Sequence, residues 1–148
     1  MAINTTAGAS ISIVKAEPAT YDIADFGALT FVEVGDIETM GEFGGRSQVI
    51  EFTGIKDIVT QKFKGSFNAG SMSVGLGKNV TDAGQALLVA GAIPSENGVH
   101  SVEFKDAAGD IVYFTCIVTG YTTNPADVNA VIKSTVTLEL NNQAIPGQ

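Results

Sequence analysis

The sequence predicts a mainly β fold: a β-sandwich or partial barrel of about six to eight strands with one flanking α-helix at about residues 81–91. Three observations carry that prediction. Runs rich in Val, Ile, Thr and Phe recur along the chain, punctuated by Gly-, Asp- and Asn-bearing turns. A single stretch, Ala83 to Ala90, places apolar residues at helical spacing. The chain is 45% hydrophobic and only 16% charged, against about 25% charged in an average globular protein. That balance fits either a Gly/Ala/Thr/Val-rich β-domain or a surface partly hidden against copies of itself. The 148 residues show no internal repeat and no linker, so one domain spanning 1–148 is expected. It would carry a flexible N-terminal arm (about 1–9), a long loop (about 41–64) and a short C-terminal tail (about 142–148).

Ser10 to Lys15 alternates weakly and reads as a first strand. Ala16 to Ala28, with Pro18 and Gly27, reads as a loop with one helical turn. Leu29 to Glu38 is β-branched and reads as one strand with Gly35 as a bulge. Because it is apolar on both faces, it has to be covered twice. The turn cluster at 41–45 leads into 47–53 and 58–63, which form either a long hairpin or an extended loop. From Gly70 to Leu76, Met72, Val74 and Leu76 alternate with Ser71, Ser73 and Gly75, the pattern of a half-buried strand.

Thr81 is the expected N-cap of the helix, with Asp82 in its first turn suiting the helix dipole. Ala83, Ala86, Leu87 and Ala90 form its expected apolar stripe, and Gly91 and Pro94 end it. A helix of about ten residues is too short to stand alone in water and must pack on a sheet. Three strands follow: Val99 to Lys105, Ile111 to Thr122 and Val131 to Leu140. In the second, Val112, Phe114, Cys116 and Val118 share one face. In the third, Val136, Leu138 and Leu140 point inward, with Lys133, Thr135, Thr137 and Glu139 outward.

The net charge of −8 opposes ordinary nucleic-acid binding, which draws on Lys and Arg to neutralise phosphates. The charge is uneven. From Ala16 to Gly45 there are seven acidic residues and no basic one; Arg46, Lys56, Lys62 and Lys64 then supply half of the eight basic residues. Such a pattern reads either as two surfaces that mate between copies or as ordinary solvated loops and strand edges. The contact candidates are Arg46, Lys56, Lys62 and Lys64 on the basic side and Glu33, Asp36 and Glu38 on the acidic side. The amino terminus lacks the charged and apolar regions of a signal peptide, and no run approaches a membrane span. The chain is therefore expected to be made in a cytoplasm and to stay soluble there. Lone Cys116 rules out an intramolecular disulfide.

Little in the sequence can do chemistry. His100, the one histidine, is in phase with Val102 and Phe104 and reads as a core residue. Cys116 is in phase with core positions, which argues against an activated nucleophile. Gly75-Leu-Gly77-Lys78-Asn79 precedes the helix like a phosphate loop, but Met72 and Asn79 stand where that motif needs Gly and Ser/Thr. Asp127-Val-Asn129 lacks the later Gly and Glu of a calcium loop. Phe63 and Phe67 beside the lysines resemble a stacking platform for bases, which the acidic remainder opposes. No catalytic, cofactor-binding or metal-binding residue is assigned, and the chain is expected not to be an enzyme.

A resemblance joins these pieces. Thr60 to Leu76 (TQKFKGSFNAGSMSVGL), then Asp82 to Leu88 (DAGQALL), then Tyr113 to Leu140 resemble the major tail tube proteins of long-tailed, non-contractile bacteriophages. Ala19 to Asp22 and Thr30 to Ile37 are similar too; Gly41 to Ile58 matches least. The resemblance implies a β-sandwich with one flanking helix, a fold shared with the type VI secretion tube protein. It implies hexameric rings stacked into a tube around a tape-measure protein, through which DNA later leaves. The expected partners are the chain itself and the tape measure, tail terminator and tail-tip proteins. DNA would be met only in transit, and membrane not at all. The expected location is the virion tail, with host cytoplasm during assembly. Thr135, Thr137 and Glu139 are candidates to line the bore, and the 41–64 region is expected to order when rings stack. The other readings are a head decoration or tail-tip subunit and a non-catalytic ligand-binding β-domain.

Overall fold

Ten strands and two short helices follow one another in a computed structural model that describes residues 3–147. They are β1 (Ser10–Val14), α1 (Ile23–Gly27), β2 (Val32–Val34), β3 (Ile37–Met40), β4 (Arg46–Phe52), β5 (Gln61–Asn68) and β6 (Ser71–Gly77). Then come α2 (Ala83–Gly91), β7 (His100–Lys105), β8 (Ile111–Asn124), β9 (Lys133–Leu140) and β10 (Ile145–Pro146). Eight strands form one antiparallel sheet in the order β2-β1-β7-β8-β9-β6-β3, with β10 beside β8. β4 and β5 pair only with each other. The mainly β reading with one main helix therefore stands.

The expected strand Leu29 to Glu38 is two strands, and they lie at opposite edges of the sheet. Gly35 is no bulge. With Asp36 (φ 61°) it forms the corner between them. Since only two residues separate the edges, the sheet must curl until they face each other, although β2 and β3 do not pair. Curling places one side chain in two from every long strand into a single core. Ile13, Met72, Leu76, Val102, Phe114, Val136 and Leu138 are buried there, as the alternation predicted for the later strands.

β8 is covered on both faces. Opposite Phe114 and Cys116, its Tyr113 and Thr115 are also buried. α1, capped by the Asp22 carboxylate accepting from the Asp25 N–H at 2.8 Å, delivers Phe26 flat onto Tyr113 with centroids 5.0 Å apart. Tyr21 meets Phe26 edge-on and donates its hydroxyl to the Gln143 carbonyl at 2.6 Å. The expected C-terminal tail is thus tied down: Ile145 and Pro146 pair with Tyr113 and Val112. Of the expected N-terminal arm, residues 3–8 lie outside the sheet and 1–2 outside the described residues.

The helix differs from its sequence reading by one residue. Asp82, not Thr81, is the N-cap, accepting from the Gln85 N–H at 3.0 Å. The buried positions are Gly84, Gln85, Leu88 and Gly91, while Ala83, Ala86 and Ala90 face outward. Close approach decides this. A Cβ on Gly84 would sit 2.4 Å from the Glu33 carbonyl oxygen and 2.6 Å from the Val34 Cα, so only glycine lets the helix lie this near β2.

Candidate assembly surfaces

Four surfaces concentrate what the sequence singled out, and the strand-to-helix junction after β6 comes first. Four of its backbone donors are already committed. Gly77 N–H donates to the Asp36 carbonyl (2.8 Å), Lys78 N–H to the Ile132 carbonyl (3.0 Å), Asn79 N–H to Gln85 Oε1 (2.9 Å) and Thr81 N–H to Asn79 Oδ1 (3.1 Å). Gln85, fully buried, donates from Nε2 to the carbonyls of Gly35 and Gly77, both at 2.9 Å. Asp82 accepts from the Gly35 N–H at 3.0 Å. The loop that resembles a phosphate cradle is a polar lock fastening the sheet corner to the helix. Nothing in the sequence reading found Gln85; the signal available was a Gln three residues after a capping Asp, which marks a capping box.

The second surface is the β4–β5 hairpin, which replaces the expected long loop at 41–64. Ile50 pairs with Phe63 and Phe52 with Gln61, so Ile50, Phe52 and Phe63 share one face; a register shift between Ser47 and Val49 puts Phe67, opposite Ser47, on the other. Glu51 opposite Lys62 and Val49 opposite Lys64 lie on that other face too. All these side chains except Ser47 are exposed, and at the tip Ile55 and Ile58 are fully so. The hairpin joins the body through a narrow base. Phe43 anchors one arm against Phe104 and Phe114, and Gly70 (φ 86°) turns the other, where a Cβ would press 2.7 Å from the Gly44 carbonyl. All four basic candidates lie here: Arg46 on β4, Lys56 in the tip, Lys62 and Lys64 on β5.

The acidic candidates gather elsewhere, around the sheet corner. Glu33 is exposed on the β2 edge. Asp36 accepts from Asn79 Nδ2 at 2.8 Å, and Glu38 on the β3 edge is held by Lys133 Nζ, 3.0 Å from each carboxylate oxygen. Among the described residues, no ion pair joins the acidic group to the basic one within the chain.

The third surface is the outer face of β6, β9 and the end of β8. Thr135 lies between Gly75 and Thr122, Thr137 between Ser73 and Gly120, and Glu139 between Ser71 and Ile117. The three bore candidates therefore share one face, dressed mainly in hydroxyls and glycines. The fourth surface went unread: the outer side of α2. Val80, Ala86, Val89, Ala90, Ile93 and Tyr121 line a groove of about 560 Å³ there.

His100 and Cys116 are both buried. His100 Nδ1 lies 3.2 Å from the Gly98 carbonyl, and burial holds its pKa below the usual value. Burial also pushes the Cys116 thiol up to about 12, the opposite of what a nucleophile needs.

This architecture recurs in chains of solved assemblies. One lies in the six-fold symmetrised baseplate of the anti-feeding prophage: TM-score 0.66, 9% identity, covering 100% of this chain and 99% of that one. Another is in the tail of an empty GTA particle with C6 symmetry, at TM-score 0.67 and 11% identity over 97% and 98%. A third is in the SPP1 tail tube, at TM-score 0.64 and 13% identity over 93% and 75%. At these identities the fold is shared, and the fold is that of tail and injection-system tube components. No protein-family model matches the sequence, and no curated protein matches it either.

Proposed function

We propose that this chain is a structural subunit of a phage tail tube. It assembles as six-membered rings stacked into the conduit for DNA delivery in a long-tailed, non-contractile virion. It acts by assembly and not by catalysis. The observation that carries this reading is the full-length coincidence of fold with tail and baseplate subunits, in a chain whose hairpin strands leave five apolar side chains uncovered. A fold with exposed strand edges and an uncovered apolar hairpin invites association. Separating the four hairpin cations from the acidic corner gives that association a polarity.

In the tube, the hydroxyl-rich face around Thr135 and Thr137 faces the bore. Lys133, in phase with these threonines, is paired with Glu38, so such a wall offers DNA phosphates little to hold them and DNA passes without binding. The tape measure occupies the bore first, and terminator and tip proteins close the ends. The hairpin, mobile in the free subunit, orders when rings stack; hydrogen exchange that is equal in subunit and tube would contradict this.

The central experiment is negative-stain microscopy of the purified chain, concentrated or mildly heated, beside its oligomer mass. Hollow tubes or stacked six-fold rings are expected. Arg46→Glu and Lys56→Glu should shorten tubes without unfolding the subunit. Discrete single rings would favour a second reading, a tail-tip or terminator subunit, which gains support because one neighbour is from a baseplate and another from a sheath/tube terminator. Monomers or trimers would leave a head decoration subunit.

A further inference from the structure

We propose that the hairpin tip of one copy docks into the α2 groove of the next, as a knob into a socket at the opposite end of the molecule. The inference rests on the tube reading and names the contact that propagates it. The β4–β5 pair continues the β3–β6 pair: Met40 pairs with Val74, Gly41 N–H reaches the Ser73 carbonyl, and Arg46 then pairs with Asn68. The hairpin thus leaves the body at the Ser71 end of β6. The groove begins at Lys78, just past its Gly77 end. Seven residues of strand set the two apart by roughly 20 Å, with the tip at the far end of the hairpin.

A chain cannot fill its own groove in this arrangement, and it does not: Ile58 in the tip is 98% exposed and Val80 on the groove rim 81%. Both surfaces carry aliphatic side chains. Ile55, Ile58 and Val59 stand free at the tip, while Val80, Ala86, Val89 and Ile93 give the socket its aliphatic part, bordered by Lys78, Asn79 and Thr123. Outward-facing alanines on α2 keep the groove shallow-walled and open.

Charge favours a second copy as the occupant. Residues 46–68 carry four basic against two acidic residues, a net +2, which leaves −10 on the rest of a chain of net −8. A positive hairpin is drawn to the negative body of a neighbour; the attraction comes from the body as a whole, since the one charged residue lining the groove is Lys78. Because knob and socket are different surfaces, the contact is heterologous and repeats from copy to copy instead of closing a pair. One tip covers less area than a stable interface of about 1,200 Å² requires. Six tips engaging together from a ring supply the missing strength through effective concentration.

The test uses Ile58→Asp and Val89→Asp, each with circular dichroism to verify the fold. Each variant alone should lose sedimentable polymer by more than about tenfold. Mixed together they should form two-layer particles and stop, because one supplies only intact sockets and the other only intact tips. A second readout is the oxidised Ile58→Cys/Val89→Cys chain, which should give a ladder of cross-linked multimers while each single variant does not. Buried Cys116 is no competitor. Full-length tubes from Val89→Asp, an unchanged mixture, or no ladder from tubes that do form would each overturn the docking while leaving the tube reading intact. A wild-type chain that forms no rings or tubes at any concentration would overturn both.

Discussion

β5 and β6 are neighbours in sequence, similar in length and separated only by Ala69 and Gly70, yet they have opposite fates. In β6, Met72, Val74 and Leu76 are buried in the common core. In β5 no residue is buried, although Phe63 shares a face with Ile50 and Phe52. The body is stabilised by its own packing. The hairpin has two strands and no helix or sheet behind it, an arrangement that is marginal in water. An amphipathic element that finds no partner within its own chain points to one outside it, so one short chain divides into a part that folds and a part that assembles.

Truncating an aromatic on each side should expose this division most strongly. Phe114→Ala empties a fully buried site between β7, β8 and Phe43, so urea denaturation of the unassembled subunit should show a loss of about 3–5 kcal/mol. Phe63→Ala on the hairpin should stay within about 0.5 kcal/mol in the same measurement while impairing tube formation. A large cost for Phe63→Ala would mean that the hairpin packs on the body in solution, and the contrast would break.

A pair of glutamines gives a finer version. Gln85→Leu strips partners from the Gly35 and Gly77 carbonyls and the Asn79 N–H, and should cost on the order of 2–3 kcal/mol by the same measurement. Gln48 on the hairpin meets only Ser66, at 3.4 Å, and its replacement by Leu should leave the unfolding midpoint unchanged. Asp82→Ala should fall between them, at about 1 kcal/mol, because it removes an N-cap and frees the Gly35 N–H. Equal midpoints for Gln85→Leu and wild type would show that the corner is not fastened by this lock.

The body was legible because alternation has a physical cause. Once Met72, Val74 and Leu76 share a side, that side must be the core, and the same holds for Val136, Leu138 and Leu140. The corner was not legible, since 29–38 reads as one unbroken β-branched run and only the tertiary curl separates its halves. The helix face was misread because hydrophobicity favours Ala86 and Ala90 for the core, whereas distance of approach selects Gly84 and Gly91. Of the candidate surfaces, the basic cluster and the hydroxyl face were visible in composition and period. The groove was not, as it is built from alanines and valines that look like packing residues until the helix is placed.

The smallest expected effect concerns pH, and it too separates body from hairpin. His100 lies beneath the last turn of α2, where a Cβ on Gly91 would come 3.0 Å from its ring. Burial lowers its pKa, with a smaller contribution from Lys15, while the Gly98 carbonyl and Glu96 pull the other way. The unfolded chain therefore takes up a proton near pH 6.5 that the folded body still refuses. Stability should be complete above that value, fall as pH drops below it, and level off only beneath the folded pKa. Urea midpoints of the wild type between about pH 5.5 and 7.5 should show this slope, and His100→Gln should flatten it. No histidine lies in the hairpin, so its local opening, followed by hydrogen exchange corrected for intrinsic rate, should not change over the same range. A flat wild-type midpoint would mean that His100 is protonated in place. An opening that follows the body's slope would mean that hairpin and body unfold as one unit.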